Sequence, residues 1–100
     1  MRPYGQYCPI ARAAEVLGDR WSLLIVRELL LGAHGFNEIE RGLPRISRGL
    51  LSRRLRQLEA LGIAARRTRP DGSAGGYSLT PAGEDLEPVI PGLSGSVEEA

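Results

Sequence analysis

The chain has no lysine: all thirteen of its basic side chains are arginine. It has one cysteine, one histidine, one tryptophan and one phenylalanine in 100 residues. A single cysteine excludes a disulfide within the chain and agrees with a reducing cytoplasm. The lone histidine, His34, gives no support to metal binding or to a histidine-dependent triad. No apolar run approaches the roughly 20 residues that span a bilayer, so no membrane partner is expected. The opening MRPYGQYCP lacks the apolar region of a signal peptide. No paired carboxylates and no nucleophile–base arrangement emerge, which argues against an enzyme, and no cofactor is expected. Gly72, Gly75 and Gly76 fall in an expected hairpin loop, not between a strand and a helix, which argues against a phosphate-cradling loop. What remains is one domain over residues 1–100, with an ordinary 42% hydrophobic content and a small but adequate core.

Charge is present in plenty, but unevenly. Arg41 to Arg69 holds nine arginines against one acid, Glu59, a net of +8. Residues 1–40 carry four arginines and five acids, a net of −1, and residues 70–100 carry six acids and no arginine. The overall +1 therefore hides a polarised chain. At the centre of the basic segment is Ser47 to Leu61, SRGLLSRRLRQLEAL, which reads as one amphipathic helix. Leu51, Leu55 and Leu58 recur at i, i+4 and i+7, with Leu50 and Leu61 widening the stripe. Gly49, Ser52, Arg53, Arg56 and Ala60 fall on the opposite side. Ser47 suits the N-cap and Gly62 the left-handed stop. A basic stripe of this density is the electrostatic footprint of a nucleic-acid reader. The plainer alternative is a solvated arginine face on an ordinary helix.

In chain order, residues 1–8 read as irregular and a first helix is expected from Pro9 to Leu17, ended by Gly18. Asp19 caps a second helix over about Arg20 to Leu31. That helix is apolar nearly all round and is expected to be the most buried. Ala33 to Phe36 is a short connection with at most one or two residues of strand. Asn37 with Glu40 resembles a capping box before a short helix whose buried contacts are Ile39 and Leu43. Leu43 to Ile46 is a turn, since Pro44 disfavours helix at Leu43. After the basic helix, Ile63 to Arg69 reads as a strand, residues 70–76 as a loop, and Tyr77 to Leu79 as the returning strand. Thr80 caps a helix from Pro81 to Ile90 that is kinked or broken at Pro88. Residues 91–100 read as a weakly ordered tail.

Helix, tight turn and a second helix with a polar outer face, followed by a hairpin, form a winged helix-turn-helix. The expected class is α+β, mainly α, with a two- to three-stranded β-wing. Several stretches carry a resemblance to a family. Cys8-Pro9-Ile10, the block from Gly18-Asp19-Arg20-Trp21 to Leu29, Phe36-Asn37-Glu38-Ile39, Ile46-Ser47 with Leu51 to Leu55, and Tyr77 to Gly83 are similar to the HxlR-type regulators, relatives of the MarR group. The resemblance covers roughly residues 7–90. It implies a bacterial homodimeric transcription factor that binds operator DNA. The chain departs from the family pattern at Arg48-Gly49, where Pro-Arg is common, and at its last segment, which has no tryptophan.

On this reading the N-terminal half of the recognition helix enters the major groove. Arg48, Ser52, Arg53 and Arg56 are the candidates to reach bases or flanking phosphates. Arg45, with Ser47 and the N–H groups at the helix start, would hold phosphates. The wing arginines Arg66, Arg67 and Arg69 would follow the backbone or enter the minor groove. Arg54, at the edge of the leucine stripe, reads as structural, snorkelling or ion-paired. Cys8 is open to two readings. A helix N-terminus and Arg12 one turn along would stabilise a thiolate, and by resemblance several family members sense oxidants or electrophiles through a cysteine there. It is otherwise a small buried hydrophobe. With no second cysteine, a switch needs a Cys8–Cys8 link between subunits, a small-thiol adduct or alkylation. A small-molecule or oxidant effector is thus an expected partner beside double-stranded DNA and a second subunit. The rival readings are a winged helix used only for protein contact, and the N-terminal domain of a longer regulator.

Overall fold

The computed structural model describes Ala14, Val16 and residues 18–90. Ala14 and Val16 are helical. The remainder of the expected first helix, Cys8 and the expected tail from residue 91 lie outside the described residues.

Helix α1 spans Arg20–Leu30. Asp19 caps it as expected: the backbone there is extended, and its Oδ1 accepts the Ser22 N–H at 3.0 Å. The helix buries one face, Ser22, Ile25, Val26 and Leu29. It is not buried all round: Leu23, Leu24 and Leu30 are half-buried, and Leu31 is 64% exposed. The described elements pack against one side of it only, so an apolar composition did not translate into burial on every face.

Helix α2 spans Phe36–Gly42. Its start corrects the expected Asn37–Glu40 box. Gly35 is the N-cap, and Glu38 Oε1 accepts the N–H groups of Gly35 at 2.9 Å and His34 at 3.1 Å. This satisfies two backbone donors at the start of the helix. Ile39 and Leu43 are buried as expected.

Helix α3 spans Arg48–Ala60. Ser47 Oγ accepts the Leu50 N–H at 3.1 Å, and Leu51, Leu55 and Leu58 are fully buried. Gly62 follows with φ of +78°, a conformation that glycine adopts without penalty. The three leucines meet Ile25, Val26 and Leu29 of α1 and Ile39 of α2 in one core, closed below by Ile63, Ala64, Leu86 and Ile90.

The wing is a two-stranded antiparallel sheet, β1 Ala64–Thr68 and β2 Ala74–Leu79, with Ala64 opposite Leu79 and Arg66 opposite Tyr77. The expected loop of residues 70–76 is shorter, because Gly75 and Gly76 belong to β2. The register shifts between Arg66 and Thr68: the stretch from Tyr77 back to Ala74 opposes that from Arg66 to Thr68, so β2 carries an extra residue. Gly76 takes φ of +92° there, and a Cβ on it would run into the carbonyl of His34. That close approach lets the Tyr77 N–H donate to the His34 carbonyl at 2.8 Å. His34 Nδ1 lies 3.0 Å from the Tyr77 carbonyl oxygen. The α1–α2 connection thus docks on the wing without adding a third strand.

Thr80 caps α4, accepting the Gly83 N–H at 3.1 Å. The helix covers only Pro81–Glu84, not Pro81 to Ile90, and a single 3-10 turn, Glu87–Val89, follows. Proline 88 has no N–H, and in a continuous helix its ring would clash with the Glu84 carbonyl. The break still allows Leu86 and Ile90 to reach the core.

Candidate nucleic-acid interface

The leucine stripe fixes which side of α3 faces out. Arg53 and Arg56 are exposed on it, and Arg45 is exposed in the turn before it. Ser52 lies beneath Arg56, whose Nη1 donates to the Ser52 Oγ at 2.7 Å. Among the described residues, Arg45, Arg53 and Arg67 pair with no acid.

Three other arginines are tied down. Arg48 Nη1 donates to Glu40 Oε1 at 2.6 Å and to Asn37 Oδ1 at 3.3 Å. Its guanidinium carbon lies 4.7 Å from the centroid of the Phe36 ring. All three partners are on α2. Arg66 Nε donates to both carboxylate oxygens of Glu59, each at 3.2 Å, and its guanidinium lies 5.8 Å from the Tyr77 ring centroid. The Glu59 hydrogen bond, with the nearby Tyr77 and Glu59 charge, holds Arg66 more firmly protonated than usual. Arg69 turns inward at the wing tip, donating to the Ala74 carbonyl at 2.6 Å.

The tip itself is a tight turn. The Gly72 N–H donates to the Arg69 carbonyl at 2.8 Å. Asp71 Oδ1 accepts the Ser73 hydroxyl at 2.6 Å and the Ser73 N–H at 2.9 Å, which hold the Asp71 carboxyl below its ordinary range. Arg54 behaves as its place in the stripe predicts. Its Nε lies 2.9 Å from Asp19 Oδ2, off the line of the N–H, so the contact is coulombic; its Nη1 donates to Gln57.

The expected arginines therefore differ in how firmly they are held, with Arg69 tied to backbone at the wing tip. Arg45, Arg53, Arg56 and Arg67 have guanidinium groups free of acids among the described residues, whereas Arg48 and Arg66 each carry a carboxylate. The cradle of Phe36, Asn37 and Glu40 under Arg48 was not foreseen, because those contacts cross between helices. Glu59 as the lone acid among nine arginines was a usable signal for the Arg66 pair. A shallow groove runs between α2 and the wing, lined by Phe36, Asn37, Arg67, Arg69, Gly75 and Tyr77.

A helix pair joined by a tight turn, with a β-wing after the second helix and arginines on its outer face, defines a winged helix-turn-helix protein of the DNA-binding kind. The HxlR-like helix-turn-helix family model matches residues 16–99, and the chain belongs to that family. It is 40% identical over 91 residues to YvaP, an uncharacterised HTH-type transcriptional regulator of Bacillus subtilis, covering 89% of this chain and 84% of that one. It spans smaller shares, 64% and 51%, of relatives from Synechocystis and Mycobacterium tuberculosis. Among solved structures it resembles the reduced form of the transcriptional regulator YodB from B. subtilis, with a TM-score of 0.71, 37% identity and 82% of each chain covered. It also resembles the redox regulator HypR in its oxidised form, with a TM-score of 0.72, 31% identity, and 93% of this chain and all of that one covered. The chain is a transcriptional regulator with a MarR-like winged helix.

Proposed function

We propose that the protein is a sequence-specific regulator that binds double-stranded operator DNA as a homodimer. The observation that carries this reading is that Arg53 and Arg56, held on α3 by its buried leucine stripe, and Arg67 on β1 are exposed and free of acids among the described residues. Arg53 and Arg56 read bases or the phosphates beside them, since an arginine fork matches guanine O6 and N7. Arg45, Ser47 and the first N–H groups of α3 hold phosphate. Arg67 follows the backbone from the wing, with Arg66 and Arg69 beside it, and Ser52 steers Arg56. Two subunits place their recognition helices on half-sites whose centres lie about one helical turn apart, or a multiple of it. The site of action is the cytoplasm, on the nucleoid.

The names of HypR and YodB favour a redox input, one as a redox regulator and the other solved in a reduced form. In this chain the thiol for it is Cys8, outside the described residues. Selection of genomic fragments by the purified protein, with and without oxidant, tests both parts. Recovery of a palindrome supports the operator reading. A change with oxidant that disappears in Cys8→Ser supports the thiol switch. Recovery of no common sequence defeats the operator reading and favours a protein-contact module.

A further inference from the structure

We propose that Glu40 is a positioning residue for DNA recognition: it holds Arg48 against α2 and so keeps down binding to duplex of the wrong sequence. The proposal rests on the DNA-binding reading above. Arg48 is the first residue of α3, the end of a recognition helix that enters the groove. An unrestrained guanidinium there would take any nearby phosphate, whatever the bases. Here it is held back by three groups of α2: the Glu40 carboxylate at 2.6 Å, the Asn37 amide oxygen at 3.3 Å and the face of Phe36.

The pair is built to open. The Arg48 side chain is 63% exposed, and ion pairs in that setting are weak. A phosphate offers Arg48 one negative charge, and Glu40 already supplies one. Exchanging one for the other gains little. It also leaves an unpaired carboxylate facing the DNA backbone, which repels it. Release is favourable only where the duplex adds something to the attraction of its phosphates, such as a guanine edge met by both arms of the fork. Arg48 then contributes to the right sequence and little to the rest.

The test uses a fluorescently labelled duplex of random sequence, titrated over a range of salt. The proteins are the wild type, Glu40→Gln, Arg48→Ala and the double variant, each first checked for an unchanged melting curve. Removing the charge on Glu40 is expected to tighten binding by about two- to fivefold. It should also steepen the log–log salt slope by about 0.9, the contribution of one further phosphate contact. In the Arg48→Ala background the same substitution should add no phosphate contact to the slope and tighten binding distinctly less, through relief of carboxylate repulsion alone. An equal gain with and without Arg48 marks a general charge effect and overturns the proposal. No gain from Glu40→Gln, with a steep slope in the wild type, overturns it while leaving the DNA reading intact. A flat wild-type slope removes both.

Discussion

One carboxylate serves two helices. Asp19 Oδ1 caps α1 at the Ser22 N–H, 3.0 Å away, while Oδ2 lies 2.9 Å from Arg54 Nε on α3. The start of the core helix and the flank of the recognition helix are thereby coupled through a single side chain.

Asp19→Ala should lose both contacts and destabilise the protein by about 1–2 kcal/mol, most of it from the cap. Asp19→Asn keeps an oxygen for the Ser22 N–H and should cost only a few tenths of that, since a half-exposed ion pair contributes little. Urea unfolding of the two variants checks this. Equal losses would mean that the pair with Arg54, not the cap, is the stabilising contact.

Glu38 gives a pH dependence of known sign. Hydrogen bonds from the Gly35 and His34 N–H groups favour its ionised form and lower its pKa from the ordinary 4.5. A carboxyl whose pKa is depressed on folding adds stability above its unfolded value and loses it as pH falls through the folded one. The stability gap between wild type and Glu38→Gln should therefore be full near neutrality and close below pH 4.5. Melting temperatures of both proteins across that range provide the comparison. A gap independent of pH would contradict the role given to the carboxylate.

Two glycines of the wing separate strain from collision. Gly72 has φ of +89° with open space around its missing Cβ, whereas Gly76 has φ of +92° with the His34 carbonyl in the way. Gly72→Ala should cost about 1 kcal/mol from backbone strain alone, and Gly76→Ala about 2–3 kcal/mol or more, because the α1–α2 connection must also shift. Hydrogen exchange at the Tyr77 amide should speed up markedly in the second variant only. Similar costs at both positions would show that the docking of His34 on β2 is loose.

Most of the fold was legible because it is written in local signals. The i, i+4, i+7 leucines of α3, the Asp19, Ser47 and Thr80 caps, and Gly62 each act within a few residues of themselves. What was not legible depends on distant partners. The capping acceptor for α2 is Glu38, because it can reach two N–H groups from its place in the first turn. Gly75 and Gly76 read as loop by composition, yet the bulge opposite Arg67 uses them as strand. The length of α4 turned on Pro88, which marked a break but not where the chain would stop being helical. For the interface, arginine density located the segment, and Arg54 was separated from its neighbours by its angle to the leucine stripe. The restraint on Arg48 was hidden, since Glu40 lies eight residues away across an element boundary, whereas Glu59, seven residues from Arg66, stood out as the lone acid of the basic segment.

The division of labour between α3 and the wing is tested most directly by equilibrium binding of Arg53→Ala and Arg67→Ala to a selected duplex and to a random one. The Arg53 variant should lose about 1–3 kcal/mol on the selected duplex and much less on the random one, erasing discrimination. The Arg67 variant should weaken both alike and reduce the salt slope by about 0.9. Equal losses on both duplexes from both variants would contradict base reading by α3.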